Sequence, residues 1–254
     1  KTIILPEAED RRVLEAASKV NKQGFAKIVL IGNKSQIEKD IENYKIDLSG
    51  VRIVDILSAE KKNEYANNLY ELRKHKGMTE EQALKLLEEP IYYGMMMLKD
   101  KNEKVDGLVS GAIHSTPDTL RPALQILKTR PGTKLVSAFF IMCVPECEYG
   151  ENGVFIFGDC GLNQNPTSDE LSEIAISSAE SFNMLVEKEP KVAMLSYSTY
   201  GSAKSELTEK VIEATKLAKE KRNDLLIDGE LQLDAAIIPE VFKSKAPESP
   251  LKGN

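Results

Sequence analysis

The segment from Val109 to Gln125 combines residue types that bind anions. It reads V-S-G-A-I-H-S-T-P-D-T-L-R-P-A-L-Q and passes from an apolar run to an amphipathic one. Thr116 is predicted to be the N-cap of the helix and Pro117 its first residue. Free backbone N–H groups, hydroxyl donors and the positive end of the helix dipole would meet at this turn and favour an anion. The candidate binding residues are Ser110, His114, Ser115, Thr116 and Arg121.

A purely structural role for the same turn stays open. Asp118 also favours a helix N-terminus, and its charge would repel a phosphate. The alternative interpretation is a capped helix with a buried loop histidine, His114, and no ligand.

A second turn of similar composition runs from Met194 to Ser205, in the order M-L-S-Y-S-T-Y-G-S-A-K-S. Ser198 and Thr199 are its candidate binding residues. Two such turns on two domains predict a ligand with separated phosphates, lying in a cleft between the domains. Neither turn contains G-x-x-x-x-G-K-[ST] or G-x-G-x-x-G, which argues against a P-loop kinase and an ordinary dinucleotide-binding fold.

A third polar segment, L-P-E-A-E-D-R-R from Leu5 to Arg12, follows the first strand. Its acidic residues are expected at a helix start because of the helix dipole alone. Arg11 and Arg12 oppose that dipole, so at least one of them is expected to serve another purpose. The basic helix end Y-E-L-R-K-H-K, which begins at Tyr70, is expected to be a solvated face.

Cysteine and histidine are too sparse for a metal site. The chain has three cysteines, Cys143, Cys147 and Cys160, and two histidines. Cys143 ends an apolar strand and is expected in the core. No histidine or further cysteine completes a tetrahedral set, so no metal is predicted. An odd number of cysteines without C-x-x-C is typical of reduced thiols in the cytoplasm.

Composition excludes several classes of protein. Hydrophobic residues make up 41% and charged residues 29% of the chain, which is ordinary for a globular protein. The net charge of −6 argues against general nucleic-acid binding. No signal peptide and no apolar run long enough to cross a bilayer are recognised, so we expect no membrane partner and a cytoplasmic location.

Alternating strands and helices position the candidate residues and predict an α/β fold with a largely parallel sheet. The strand candidates are Thr2–Leu5, Lys27–Ile31, Arg52–Val54, Gly107–Ser110, Leu135–Val144, Val154–Phe157, Val192–Tyr197 and Leu225–Asp228. The helix candidates are Asp10–Lys22, Ser35–Glu42, Ala59–Lys74, Thr79–Leu87, Ile91–Lys99, Pro117–Lys128, Ser168–Val186 and Lys204–Lys221. Capping boxes are predicted at Ser35, Thr79 and Thr167.

The turn K-T-R-P-G-T, from Lys128 to Thr133, predicts a domain boundary. We expect domain I over residues 1–130 and domain II over residues 131–254. The segment C-E-Y-G-E-N-G, from Cys147 to Gly153, predicts a hairpin and therefore an antiparallel pair in domain II. The proline-rich ending predicts that further chain follows Asn254.

Motifs along the whole chain carry a family resemblance. In order they are L-P-E-A-E-D at Leu5, Y-E-L-R-K-H-K-G at Tyr70, V-D-G-L-V-S-G-A-I-H-S-T at Val105, D-T-L-R-P-A-L-Q at Asp118, G-D-C-G-L-N-Q-N-P-T at Gly158, M-L-S-Y-S-T at Met194, G-S-A at Gly201 and D-G-E-L-Q-L-D-A-A-I-I-P at Asp228. Together they resemble the phosphate acetyl/butyryl transferase family.

The resemblance implies two α/β/α domains with a cleft between them, like the isocitrate and isopropylmalate dehydrogenases, a homodimer and no metal. The implied reaction of acetate metabolism is acetyl-CoA plus phosphate to acetyl phosphate plus CoA, by direct thiolate attack in a ternary complex. CoA is then a substrate, and no cofactor is permanently bound. The arginines of the family's cleft correspond to Arg12, Arg73 and Arg121, and Arg121 with the loop from His114 to Thr116 would hold the phosphoryl group.

The chain departs from the family pattern at one important place. The family's Ser-Arg pair and an assisting Asp lie in a C-terminal segment that would begin after Asn254, so domain I would lack that segment and no catalytic residue is assigned within the chain. Tyr200 stands where many relatives carry a basic residue. The alternatives are a butyryl-specific enzyme and a non-catalytic module that senses acyl-CoA or acyl phosphate. A dehydrogenase of the shared fold is disfavoured because no metal-binding Asp set is recognised.

Overall fold

The computed structural model describes residues 1–253, which separate into two compact units, Lys1–Arg130 and a second that begins at Pro131. The strands are β1 Thr2–Leu5, β2 Lys27–Gly32, β3 Arg52–Asp55, β4 Gly107–Leu108, β5 Phe139–Cys143, β6 Val154–Gly158, β7 Lys191–Leu195 and β8 Leu226–Leu231. The α-helices are α1 Arg11–Gln23, α2 Lys34–Tyr44, α3 Lys62–Arg73, α4 Glu80–Leu86, α5 Pro90–Lys99, α6 Thr116–Ile126, α7 Ser168–Val186, α8 Glu206–Lys221, α9 Leu233–Ile237 and α10 Pro239–Lys245. Over residues 1–253, none of these helices combines the length and apolar character that crossing a membrane requires.

The first unit is a parallel sheet buried on both faces. Its strand order is β3-β2-β1-β4, with parallel pairing throughout. Side chains alternate along β2: Ile31 packs into a core with α3 to α6, whereas Leu30 packs on the opposite face with α1 and α2. Burial on both faces explains why β2 is apolar at nearly every position. The carboxyl ends of β1 and β4 are neighbours, so the turns after these strands meet at one edge of the sheet.

The second unit contains two short sheets. Strands β5 and β6 pair antiparallel, which confirms the predicted hairpin, and β7 and β8 pair parallel. Helices α7 and α8 pack against each other and against these strands. The parallel pair ends in a turn to α8, and this turn is the second hydroxyl-rich segment of the sequence.

Helix starts agree with the sequence at two of the three predicted capping boxes. Thr79 and Thr167 each accept a hydrogen bond from the backbone N–H of the third helical residue, whose side chain bonds back. The box predicted at Ser35 is wrong, because α2 begins at Lys34 and Asn33 caps it. The Asn33 side chain accepts from the Gln36 N–H at 3.2 Å, and an asparagine two residues earlier is an equally good cap.

Replacing Thr79 by alanine is expected to lower the free energy of unfolding by about 1 kcal/mol, because the Gln82 N–H in the first turn of α4 loses its acceptor. Urea unfolding followed by circular dichroism measures the loss. Thr79→Ser is the matched control, since it keeps the hydroxyl and should retain most of the stability. An equal loss in both variants would contradict a capping role.

Candidate functional site

The turn between β4 and α6 is organised one residue earlier than predicted. Ser115, not Thr116, is the N-cap, and its hydroxyl accepts from the Asp118 N–H at 3.4 Å. Thr116 is therefore the first helical residue, with Pro117 next to it in the first turn. The Ser115 hydroxyl also donates to Asp118 Oδ2 at 2.5 Å. Asp118 thus belongs to the cap. One of its carboxylate oxygens is already hydrogen-bonded to Ser115 and does not compete with an anion for the other donors of the turn.

The backbone N–H groups of the turn are not free, which corrects the sequence expectation. The carboxylate of Glu7, which follows β1, accepts four of them. Oε2 accepts from Gly111 and Ala112 at 2.9 Å each, and Oε1 accepts from Ile113 and His114 at 3.0 and 2.8 Å. Successive N–H groups in such a turn form an anion-binding concavity. In this chain a side-chain carboxylate occupies it.

His114 is part of the same arrangement. Its Nδ1 lies 2.8 Å from Glu7 Oε1, and the imidazole is 18% exposed beside a carboxylate that is 2% exposed. Burial would raise the pKa of Glu7, but the N–H groups and the imidazole outweigh it and hold the pKa at about 2, below the ordinary 4.5. The carboxylate is therefore ionised at neutral pH.

Arg12 contacts the same turn through a backbone carbonyl group. Its Nη2 donates to the Ala112 carbonyl at 2.8 Å and pairs with Asp10 Oδ2 at 2.6 Å. Arg11 instead pairs with Glu15 on the surface of α1. The expectation that one of the two arginines has a role beyond the helix surface is met by Arg12. Much of its guanidinium remains exposed at the turn, so it can also meet a ligand.

Arg73 and Arg121 both lie close to Tyr92. Helices α3 and α5, which carry Arg73 and Tyr92, pack against α6, which carries Arg121. Burial raises the pKa of Tyr92, and the positive charges of Arg121 and Arg73 oppose the rise. The Tyr92 hydroxyl donates to Gln125 Oε1 at 3.1 Å. The structure therefore gathers two of the three predicted arginines around one tyrosine.

These two guanidinium groups keep unused hydrogen-bonding capacity. Arg121 is 60% exposed, and its Nη1 is 4.0 Å from Asp118 Oδ1, which is beyond hydrogen-bond distance. In residues 1–253, the Nε of Arg73 is buried and has no hydrogen-bond partner, and the same holds for the hydroxyls of Ser110 and Thr119. Buried polar atoms without partners are rare in folded proteins and call for an explanation. Arg73, Ser110 and Thr119 are therefore candidates for contact with a ligand.

The second turn is arranged differently from the prediction. Ser198 and Thr199 are buried, and their hydroxyls are engaged within the unit. Ser198 Oγ donates to Glu230 Oε1 at 2.8 Å, and Thr199 Oγ1 accepts from the Gln232 N–H at 2.9 Å. Glu230, on β8, also accepts from the Gly201 N–H at 2.7 Å. A binding role for the two hydroxyls stays a prediction, because here they hold the turn to β8 and to the start of α9.

Tyr200 provides no positive charge at this turn. Its hydroxyl donates to Asp228, which also pairs with Lys219 Nζ at 2.8 Å. Burial, together with the hydrogen bond to the carboxylate, raises the pKa of Tyr200 to about 12. The phenol is therefore neutral, and any anion at this turn would have to rely on other groups.

The cysteines form no common site. All three are free thiols, and Cys143 is exposed, which corrects its predicted place in the core. Cys143 lies on β5, of which four of the five residues are exposed. Among residues 1–253, no cluster of three or more His, Cys, Asp and Glu side chains is placed to hold a metal ion.

A cavity of about 430 Å³ lies within the second unit, lined by β6, β7 and α7. Its lining is mainly apolar, with side chains such as Phe157, Ile174 and Leu195. None of the predicted binding residues lines it. The cavity is therefore not assigned to the chemistry.

Comparison with known families decides the affiliation. The model of the family described as "Phosphate acetyl/butaryl transferase" matches residues 1–254. The chain belongs to this family. The resemblance inferred from the motifs is thereby confirmed.

Similar proteins agree with this affiliation. A phosphate acetyltransferase from Acetivibrio thermocellus is 63% identical over 253 residues, covering 100% of this chain and 75% of the relative. The phosphate acetyltransferase of Clostridium acetobutylicum is 52% identical over 254 residues, covering 100% of this chain and 76% of the relative. A solved phosphotransacetylase from Staphylococcus aureus superposes with a TM-score of 0.87 at 41% identity, over 100% of this chain and 75% of that one.

Two residues that organise these turns, Glu7 and Glu230, are not among the predicted site residues. Glu7 was attributed to a helix dipole, although the helix cap is Asp10 and Glu7 reaches the neighbouring turn. Glu230 plays a related part in the second unit, as the acceptor for Ser198 and Gly201. The usable signal in the sequence is a glutamate within or just after an apolar strand. A charged side chain at such a position is expected to be buried, and a buried charge needs hydrogen-bond partners.

Proposed function

We propose that the chain catalyses reversible transfer of an acetyl group between CoA and inorganic phosphate. The observation that carries the proposal is the 63% identity, along the whole chain, to a protein named phosphate acetyltransferase. The grouping of Arg73 and Arg121 around Tyr92 supports it, because two guanidinium groups close together favour a phosphate. CoA and acetyl phosphate, or acetyl-CoA and phosphate, are then the substrates.

The proposed phosphate position is at the first turns of α6. Arg121 would meet the phosphate oxygens with its planar fork, and the positive end of the α6 dipole would add to the attraction. Arg73 would direct its unpaired Nε towards the same region. Arg12 fixes the Ala112 carbonyl and keeps the turn in place. The backbone N–H groups from Gly111 to His114 take no part, since Glu7 occupies them.

The proposed reaction is a direct transfer. The CoA thiol loses its proton to solvent, and the thiolate attacks the acetyl carbonyl carbon of acetyl phosphate; the leaving phosphate takes up a proton in turn. A C–S bond forms, the C–O bond to phosphate breaks, and phosphate leaves with the electron pair. Arginine side chains stabilise the charge that develops on the leaving phosphate, and holding both substrates in one complex supplies rate through orientation. No acyl-enzyme forms, so none of the free cysteines needs to act as a nucleophile.

Thioester formation from acetyl phosphate and CoA, followed by absorbance, tests the proposal. Butyryl phosphate is assayed in parallel with the same protein. Turnover with a clear preference for acetyl phosphate is the expected result. A preference for butyryl phosphate would replace the acetyl assignment, and binding of CoA without turnover of either substrate would favour a sensing module.

A further inference from the structure

Glu7 makes an unusual number of hydrogen bonds for one carboxylate. It is 2% exposed and accepts four consecutive backbone N–H groups, from Gly111 to His114. The ring Nδ1 of His114 lies within 2.8 Å of its Oε1 as a fifth partner. The partners are more than 100 residues away along the chain. A buried carboxylate with this many donors is fully compensated, and it fixes the conformation of everything that donates to it.

The turn is shaped to present these donors. Gly111 has a φ of +119°, a conformation that side-chain-bearing residues rarely adopt. The turn is also held from the other side, because Arg12 Nη2 donates to the Ala112 carbonyl at 2.8 Å. The N–H groups of the turn thus bond Glu7 and its Ala112 carbonyl bonds Arg12, and both of these residues follow β1. The next residue along, Ser115, caps α6, so the position of that helix start depends on the same contacts.

The contact also determines where the His114 proton lies. An ionised carboxylate has only acceptor oxygens, so Nδ1 must carry the hydrogen. In a neutral ring Nε2 is then the acceptor. This tautomer follows from the geometry and needs no ligand.

We propose that Glu7 is a positioning residue: it locks the Gly111–His114 turn and the Nδ1–H tautomer of His114, so that the start of α6 presents Ser115, Thr116 and Arg121 to the phosphate of the substrate. The proposal rests on the proposed function for its kinetic part. It also specifies how the phosphate is held. Because Glu7 fills the backbone concavity, the phosphate is bound by side chains and by the α6 N-terminus, not by the N–H groups of the turn.

The tautomer is tested without any activity measurement. The chain has two histidines, His75 and His114, so His75→Asn leaves one imidazole for ¹⁵N NMR. At about pH 9, where a free imidazole is neutral, His114 is expected to show a protonated Nδ1 and an unprotonated Nε2. Nε2–H as the dominant tautomer in the otherwise wild-type chain would overturn the proposal, whatever the enzyme does.

The kinetic part is tested by chemical rescue. Glu7→Ala removes the equivalent of one acetate molecule and is expected to raise the KM for acetyl phosphate on the order of tenfold or more, with a smaller change in the KM for CoA. Added acetate should lower that KM again in a saturable manner, because it can accept the same N–H groups. Acetamide, similar in shape but neutral, should fail to do so. Glu9→Ala, which removes an exposed carboxylate two residues away, is the matched control.

The outcomes separate the two proposals. An unchanged KM in Glu7→Ala, or equal rescue by acetate and acetamide, would overturn the positioning role. If Glu7→Ala does not fold, Glu7→Gln keeps the shape of the side chain but replaces one acceptor oxygen by a donor, and it should show the same rise in KM. A wild-type chain that forms no thioester would refute the proposed function, while the NMR experiment would still decide whether Glu7 locks the turn.

Discussion

Replacing Arg121 by alanine is expected to raise the KM for acetyl phosphate roughly 100-fold, with a smaller effect on the KM for CoA. The Arg121 guanidinium is 60% exposed and makes no hydrogen bond to Asp118, since its Nη1 lies 4.0 Å from Asp118 Oδ1. Its loss would remove a charge-assisted, two-pronged contact and leave the phosphate facing Asp118. Initial rates of thioester formation at varied acetyl phosphate give the comparison.

Arg121→Lys separates charge from geometry. Lysine keeps the positive charge but lacks the planar fork, so an intermediate KM is expected. Arg11→Ala is the matched control in the same unit, because Arg11 is exposed and paired with Glu15 on α1. Its kinetics should stay close to wild type. An Arg121→Ala enzyme with unchanged KM would remove Arg121 from the phosphate site and direct attention to Arg73 and Arg12.

The apolar pattern predicted the strands because strands buried in a sheet consist of consecutive apolar residues. Every strand was predicted within a few residues, although the candidate Leu135–Val144 shortens to Phe139–Cys143. Helices α9 and α10 were missed. They have 5 and 7 residues, too few for a helical period to appear. Pro239 at the start of α10 was a usable signal, since proline favours the first turn.

Hydrogen bonds between side chains and groups far apart in the sequence have no local pattern from which they could be predicted. The hydroxyl and glycine residues at strand ends correctly predicted the turns after β4 and β7. The local sequence does not show whether the hydrogen-bond donors of these turns are free. Glu7 meets its partners across 104 to 107 residues. Ser198 likewise contacts Glu230 on β8, and Thr199 contacts Gln232 at the start of α9. The donors of such a turn can bind an external anion or a carboxylate of the same chain. Only the folded structure shows which of the two accepts their hydrogen bonds.

Acidification is expected to cost the first unit about 3 kcal/mol of folding free energy through Glu7 alone. Its pKa is about 2 in the folded chain, against an ordinary 4.5. A depressed folded-state pKa means that the contribution is fully present above about pH 4.5, declines as the pH falls, and is gone below about pH 2. Glu7→Gln cannot titrate at this position. The difference in free energy of unfolding between wild type and Glu7→Gln should therefore shrink by about 3 kcal/mol between about pH 6 and about pH 2.

Urea unfolding at a series of pH values measures that difference, and ¹³C NMR of the Glu7 carboxyl carbon reports its titration directly. Glu9→Gln controls for the loss of one negative charge near the same strand end. A difference between wild type and Glu7→Gln that stays constant with pH would mean that protonation of Glu7 weakens none of its hydrogen bonds. Such a result is incompatible with four backbone N–H groups on one buried carboxylate, because a protonated carboxyl carries a hydrogen of its own and cannot accept from all of them.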